Sequence, residues 1–178
     1  MARPLVLLCG LPGTGKSAIA TAIASRLGFP VVAKDIVEAA LLRSGVGPEQ
    51  GSGWAAYEVL IDLARAQLAA GVGVVVDSVA STERLRAEFA AAAAAHDAPL
   101  LVIECVCGDV TLHRTRLDGR RRGIPGWPEL TWSDVEDVRQ RYDRPGGPDL
   151  RLDAVDALEA NIDAAVALVR CAVDGPIS

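Results

Sequence analysis

Eight consecutive residues constrain this chain more than any other feature: Gly10-Leu11-Pro12-Gly13-Thr14-Gly15-Lys16-Ser17. They match G-x-x-x-x-G-K-[ST] without deviation. The apolar run 5–9 precedes them, and a helical pattern over 17–27, ended by Gly28, follows. Glycines let the backbone curl so that successive N–H groups point inward at phosphate oxygens. The helix opening near Lys16 adds its positive end to that cradle. Lys16 is then placed to reach the β- and γ-phosphates of a nucleoside triphosphate, ATP or GTP, and Ser17 to hold Mg²⁺ through its hydroxyl. The cofactor-binding assignment ends at Ser17; Ala18, the next residue, is given no role.

Around this loop the chain alternates short apolar runs with helical patterns. The continuous apolar run at 5–9 and the apolar runs at 29–33, 72–76 and 100–106 have the character of strands buried on both faces, and 150–152 reads as a short last strand. Helical patterns are expected over 35–43, 54–70, 82–95, 109–122, 132–141 and 157–171, while 44–53 is glycine-rich and reads as irregular. Strands separated by helices indicate a parallel sheet covered on both sides. At 178 residues, without a repeat or a long linker, the chain is expected to form a single domain over 1–178.

Composition narrows the function. A net charge of −5 argues against a broad nucleic-acid footprint. Cys9, Cys105, Cys107 and Cys171 form no CxxC pair and read as buried free thiols. The apolar stretch near the start is too short for a signal peptide or a membrane span, so a cytoplasmic protein without membrane association is expected. A guanine-reading Asn-Lys-x-Asp element is absent, Asn161 being the single asparagine, which disfavours a GTPase switch. The strand at 72–76 ends in Asp77-Ser78 with no glutamate next, which disfavours hydrolysis as the main purpose.

In order and spacing, the 10–17 loop, Lys34-Asp35 after the second strand, Asp77-Ser78 after the third, and Arg114, Arg116 and Arg120 form one pattern. It resembles that of the small P-loop kinases related to polynucleotide kinase, gluconate and shikimate kinases and chloramphenicol phosphotransferase. The resemblance implies a three-layer α/β/α fold whose five-stranded parallel sheet runs 2-3-1-4-5. It also implies that Asp35 accepts the proton of a substrate hydroxyl, although an aspartate there also suits the N-cap of the 36–43 helix. Asp77 matches the Mg²⁺-holding residue at the end of the Walker B strand, with a plain strand-end turn as the alternative.

Five arginines (114, 116, 120, 121 and 122) match the lid of these kinases, expected over about 109–128 and mobile until a triphosphate binds. Arg116 and Arg120 are the preferred clamps on the transferring phosphoryl group, because four-residue spacing keeps them on one helix face; a solvated charged face is the alternative. Trp54 and Tyr57 border either an acceptor pocket or the core, and His96 and His113 carry no catalytic assignment.

The expected activity is NTP- and Mg²⁺-dependent phosphoryl transfer to a hydroxyl of a small molecule, with metabolite and antibiotic acceptors both open, and a homodimer left open. Two alternatives stand beside it. One is a 5′-hydroxyl polynucleotide kinase, disfavoured by the acidic balance and by Glu38, where such kinases usually carry an arginine. The other is a nucleotide-dependent regulator or toxin-like protein.

Overall fold

The computed structural model describes residues 3–175. Five parallel strands, β1 (Leu5–Cys9), β2 (Val31–Ala33), β3 (Val74–Asp77), β4 (Leu100–Val106) and β5 (Leu150–Asp153), form one sheet in the order β2-β3-β1-β4-β5. The expected order is the one found. Every residue of β1 is buried, and its alternating side chains feed two cores. Leu5, Leu7 and Cys9 join the cluster under α3 (Ser52–Ala69) and α4 (Glu83–Ala94). Val6 and Leu8 join the cluster under α1 (Lys16–Leu27) and α7 (Leu158–Asp174). Helices cover both faces, which is why β1, β2 and the Val74–Val76 part of β3 are apolar, whereas β4 carries Glu104 and the edge strand β5 reads Leu-Arg-Leu-Asp.

Register decides where the chemistry collects. Leu8 pairs with Asp77, Cys9 with Glu104, and Ala33 with Asp77. The carboxyl ends of β1, β2 and β3 therefore lie at one edge, and the segments that leave them carry Gly10, Asp35 and Ser78. This is the edge at which open α/β sheets bind ligands, beside the strand where the connections diverge.

Three expectations need correction. The helix expected over 109–122 is α5, Val110–Asp118, and it stops four residues early. His113 and Leu117 are its buried residues, and the next turn would offer only Arg120 and Arg121 to the core. Gly119 then ends it, since glycine costs a helix about 1 kcal/mol relative to alanine. Arg120 therefore shares no helix face with Arg116. Second, Asp35 is not an N-cap: α2 (Lys34–Arg43) starts one residue before it, with Ala33 at the cap and no side-chain cap bond. Third, the thiols are not uniformly buried. Cys9 and Cys105 are, but Cys107 is half-buried and Cys171 is exposed on α7. Among the described residues no helix is long and apolar enough to cross a membrane.

Candidate active site

The loop after β1 is shaped by backbone that only glycine adopts cheaply. Gly13 and Gly15 have φ of 88° and 90°; Gly10, at 128°, faces β4 so closely that a Cβ would lie 2.0 Å from the Cys105 carbonyl oxygen. Lys16 opens α1 and is buried; its ammonium donates to the Leu11 carbonyl at 2.8 Å, and Thr14 Oγ1 donates to the same oxygen at 2.9 Å. Burial pulls the Lys16 pKa below the ordinary lysine value, and the Asp77 carboxylate works against that pull.

His113, which the sequence left as structural or exposed without a catalytic role, proves structural, and its support of the loop is what the sequence did not show. His113 of α5 is buried, with Nε2 2.7 Å from the Pro12 carbonyl oxygen and its ring edge-on to Trp132 at 5.2 Å between centroids. A carbonyl can only accept, so Nε2 carries the proton. Burial also lowers the imidazole pKa and keeps it neutral. His113 thus holds the crown of the loop from outside. The available signal was its spacing: it lies four residues before Leu117, on the inward face of a helix otherwise polar.

We expect His113→Phe to lose about 1–3 kcal/mol, the cost of stranding the Pro12 carbonyl, visible as a fall in melting temperature. The pH dependence has a definite sign. The folded pKa lies below the unfolded one, so the unfolded chain binds more protons below about pH 6.5, and stability is lost as pH falls through that region. The variant should lack this component, which melting curves at about pH 5.5 and 8 would reveal.

Across the cleft, Asp35 pairs with Arg122: Nη1 and Oδ2 are 2.8 Å apart, and the side chains are 21% and 15% exposed respectively. Next to it Lys34 is ion-paired to Glu38, whose other oxygen accepts from the buried Ser52 hydroxyl at 3.0 Å. The Lys34 ammonium also lies 5.5 Å from the Trp127 ring centre and 5.9 Å from that of Tyr57. Glu38, the residue that departs from the polynucleotide-kinase pattern, is therefore sheltered and engaged.

Tyr57 belongs to the core. Its hydroxyl accepts the Ala80 N–H at 3.1 Å, bracing the loop beyond Asp77 where Ala80 has φ 42°, and burial pushes its pKa up to about 12. Trp54 is exposed, under the Arg84 guanidinium at 5.0 Å. Neither aromatic is among the residues lining the main cleft.

That cleft, about 490 Å³, brings together Lys16, Ser17, Asp35, Asp77, Arg116 and Arg120, with Lys34, Arg121, Arg122 and Trp127 also along its walls. Arg114 points elsewhere, toward Asp118 on its own helix at 3.9 Å. Arg116 donates to the Ala154 carbonyl and also borders a smaller cavity of about 250 Å³ beside Gly13, lined by Ile19, Leu152, Leu158 and Asn161. Ala18, given no role from the sequence, borders both the cleft and this cavity; its methyl group adds apolar wall and no polar atom. Arg120 is half-buried, and both its burial and the neighbouring Arg122 charge lower its pKa. The arginine segment is not free of the body: Arg122 holds Asp35, its backbone N–H meets Glu129 Oε1 at 2.9 Å, and Arg43 donates to the Pro125 carbonyl. Internal anions thus offset part of the repulsion that argued for a mobile segment.

Mg²⁺ fits these residues. It favours one or two carboxylate or hydroxyl oxygens together with waters and phosphate oxygens, rather than a cage of protein ligands. Asp77 and Ser17 offer two such oxygens, and Ser78 Oγ beside them is buried without a partner. Among the described residues no cluster of three or more His, Cys, Asp or Glu could form a protein cage.

Comparison with known proteins now bears on this site. The family model described as an AAA domain matches residues 5–145. The chain belongs to that family. The AAA domain match runs from β1 through α6 (Trp132–Gln140) and so contains the loop, Asp35, Asp77 and all five arginines. No curated protein matches the chain.

Solved structures match along nearly the whole length. A gluconokinase from Sinorhizobium meliloti 1021 is 19% identical, with 96% of this chain and 94% of that one covered and a TM-score of 0.72. The APS kinase CysC of Mycobacterium tuberculosis in complex with AMPPNP and APS is 20% identical, with 98% and 100% covered and a TM-score of 0.67. Chaetomium thermophilum Kti12 in complex with ADP-AlF3 is 21% identical, with 97% and 100% covered and a TM-score of 0.75. The AAA domain here has the P-loop kinase fold.

Proposed function

We propose that this protein moves the γ-phosphate of ATP or GTP to a hydroxyl of a small molecule, with Mg²⁺. The observation that carries the reading is the placement of the Asp35 carboxylate in the same cleft as Lys16, with Asp77 between their strands. A kinase needs a carboxylate within reach of the acceptor hydroxyl, and in this reading Asp35 is that carboxylate.

In this reading the backbone N–H groups of residues 13–17 and the ammonium of Lys16 hold the β- and γ-phosphates. Lys16 leaves the Leu11 carbonyl at little cost, because Thr14 remains as its donor. Ser17 and Asp77 would hold Mg²⁺, which would supply positive charge against the phosphates. Asp35 orients the acceptor hydroxyl and takes its proton as the new bond forms. Arg116 and Arg120 face the equatorial oxygens, where charge spreads in the transition state. The smaller cavity, with apolar walls from Ile19, Leu152 and Leu158 and with Arg116, Asp156 and Asn161 also along it, is the candidate place for the nucleotide base. His113 acts through the loop and is a positioning residue.

The deciding experiment is a screen of hydroxylated metabolites, antibiotics and a 5′-hydroxyl oligonucleotide with γ-labelled ATP and GTP. Label on a small molecule is the expected result. Label on the oligonucleotide alone would favour the polynucleotide-kinase alternative, and slow hydrolysis alone the regulator. Arg120→Ala should lower kcat more than it weakens ground-state nucleotide binding, since the clamp matters most where charge develops. Arg116→Ala should behave similarly but more mildly, with Arg121 at hand in the same cleft. Equal losses in kcat and binding would make Arg120 a ground-state contact.

A further inference from the structure

Residues 119–131 run between α5 and α6, and none of them belongs to the two apolar clusters that cover the sheet. Apolar burial in a core therefore does not set the position of this segment. Yet three of its side chains, Arg120, Arg121 and Arg122, line the cleft beside Lys16 and Asp35. Polar and local contacts must hold them there. Those contacts gather on one element, α2. Arg122 pairs with Asp35 in its first turn, and the Trp127 ring lies 5.5 Å from the Lys34 ammonium. At the far end of the same helix Arg43 donates to the Pro125 carbonyl. Lys34 and Arg43 are the first and last residues of α2, so the segment touches the helix at points about 14 Å apart, at 1.5 Å per residue.

The chain is shaped for this seat. Pro125 and Gly126 are the central residues of a four-residue turn, closed by the Trp127 N–H donating to the Ile124 carbonyl at 3.0 Å. Gly126 has φ 79°, and a Cβ there would lie 2.6 Å from Arg43 Cγ. The turn thus packs on the stem of Arg43 while the guanidinium of the same residue takes the Pro125 carbonyl. A positive φ and a close approach both fall on the residue next to the bonded carbonyl. Neither Arg43 nor Gly126 lines the cleft.

Resting on the phosphotransferase reading, we propose that Arg43 and Gly126 are positioning residues, which dock the 119–131 segment onto α2 and so hold Arg120 and Arg121 where the phosphoryl group is transferred. The choice of α2 has a mechanical consequence. That helix carries Asp35, so the arginine clamp and the carboxylate that serves the acceptor are both referenced to one rigid element. Ground-state nucleotide binding rests on the phosphate loop and Lys16, which the dock does not touch. The dock therefore acts on turnover and leaves nucleotide affinity alone.

The test uses the full-length protein. Arg43→Gln should raise hydrogen exchange over residues 119–131 several-fold in the ligand-free protein, with the melting temperature nearly unchanged because no core contact is lost. Turnover of γ-labelled Mg²⁺–ATP, to water or to the acceptor found in the screen, should fall roughly tenfold while affinity for Mg²⁺–AMPPNP stays within about twofold. Gly126→Ala should act alike, through its φ and its contact with Arg43. The two changes together should cost no more than the worse of them, since they remove one dock. Arg43→Lys should recover part of the turnover, because an ammonium can also donate to the Pro125 carbonyl. Arg65→Gln, at a residue paired with Asp62 on the exposed face of α3, should change none of these readings. Unchanged exchange in both variants would show that there is no dock. Raised exchange with normal turnover, or parallel losses of turnover and nucleotide affinity, would show that the dock positions nothing. If Mg²⁺–AMPPNP fails to bind the parent, or Arg120→Ala turns over normally, the phosphotransferase reading of the clamp falls first, and this inference with it.

Discussion

Replacing Asp35 by Asn should lower kcat by roughly 10²–10⁴-fold and leave nucleotide affinity unchanged, the usual worth of a positioned general base. The substitution keeps the shape of the side chain and removes its charge and its basicity. It also releases Arg122, so the same measurement belongs in an Asp35→Asn, Arg122→Gln background. A defect that persists there comes from the lost base; one that disappears comes from the freed guanidinium. Full activity in Asp35→Asn would leave the carboxylate as a partner for Arg122 alone. Loss of nucleotide binding would instead assign it to the metal. Steady-state kinetics on the acceptor found in the screen, with calorimetric titration of nucleotide, separates these outcomes.

Lys16→Ala should lose more than about nine-tenths of kcat, because it removes the cation that opens α1 inside the phosphate cradle. Its effect on stability should run the other way. Burial lowers the Lys16 pKa, which means that the folded chain carries this charge at a cost. The Leu11 carbonyl keeps Thr14 as a donor when the ammonium goes. The melting temperature of the ligand-free variant should therefore equal or exceed that of the parent, while stabilisation by Mg²⁺–nucleotide is lost. Opposite movement of activity and stability is expected where a site holds a charge for function. A variant that keeps more than about a tenth of kcat would refute the cradle argument.

Sequence reading was most successful where a backbone requirement selects residue type. Gly10, Gly13 and Gly15 occupy conformations or contacts that a side chain would forbid, so the loop is legible as a string of letters. The strands were legible for a related reason: a sheet covered on both faces needs mainly apolar strands, and β1, β3 up to Val76 and β4 apart from Glu104 supply them. Asp77 followed from its place at the end of such a run. Helix ends were less secure. Asp109 to Arg122 is mostly polar, and the lack of anything to pack against after Leu117, together with Gly119, ends α5 at Asp118.

What the sequence by itself determined is the set of elements, their order and the chemistry of the phosphate loop, because each depends on neighbouring residues and on local periodicity. What only the tertiary structure decided is which distant groups meet. His113 lies 101 residues from the Pro12 carbonyl it supports. Arg122 reaches Asp35 because the segment beyond α5 folds back over α2, and Glu38 is spent on Lys34 and Ser52 because α2 packs against the start of α3. Local propensity carries no information about such pairings; burial of two apolar faces on one sheet brings them together, and the charges then pair with whatever the packing has placed within reach.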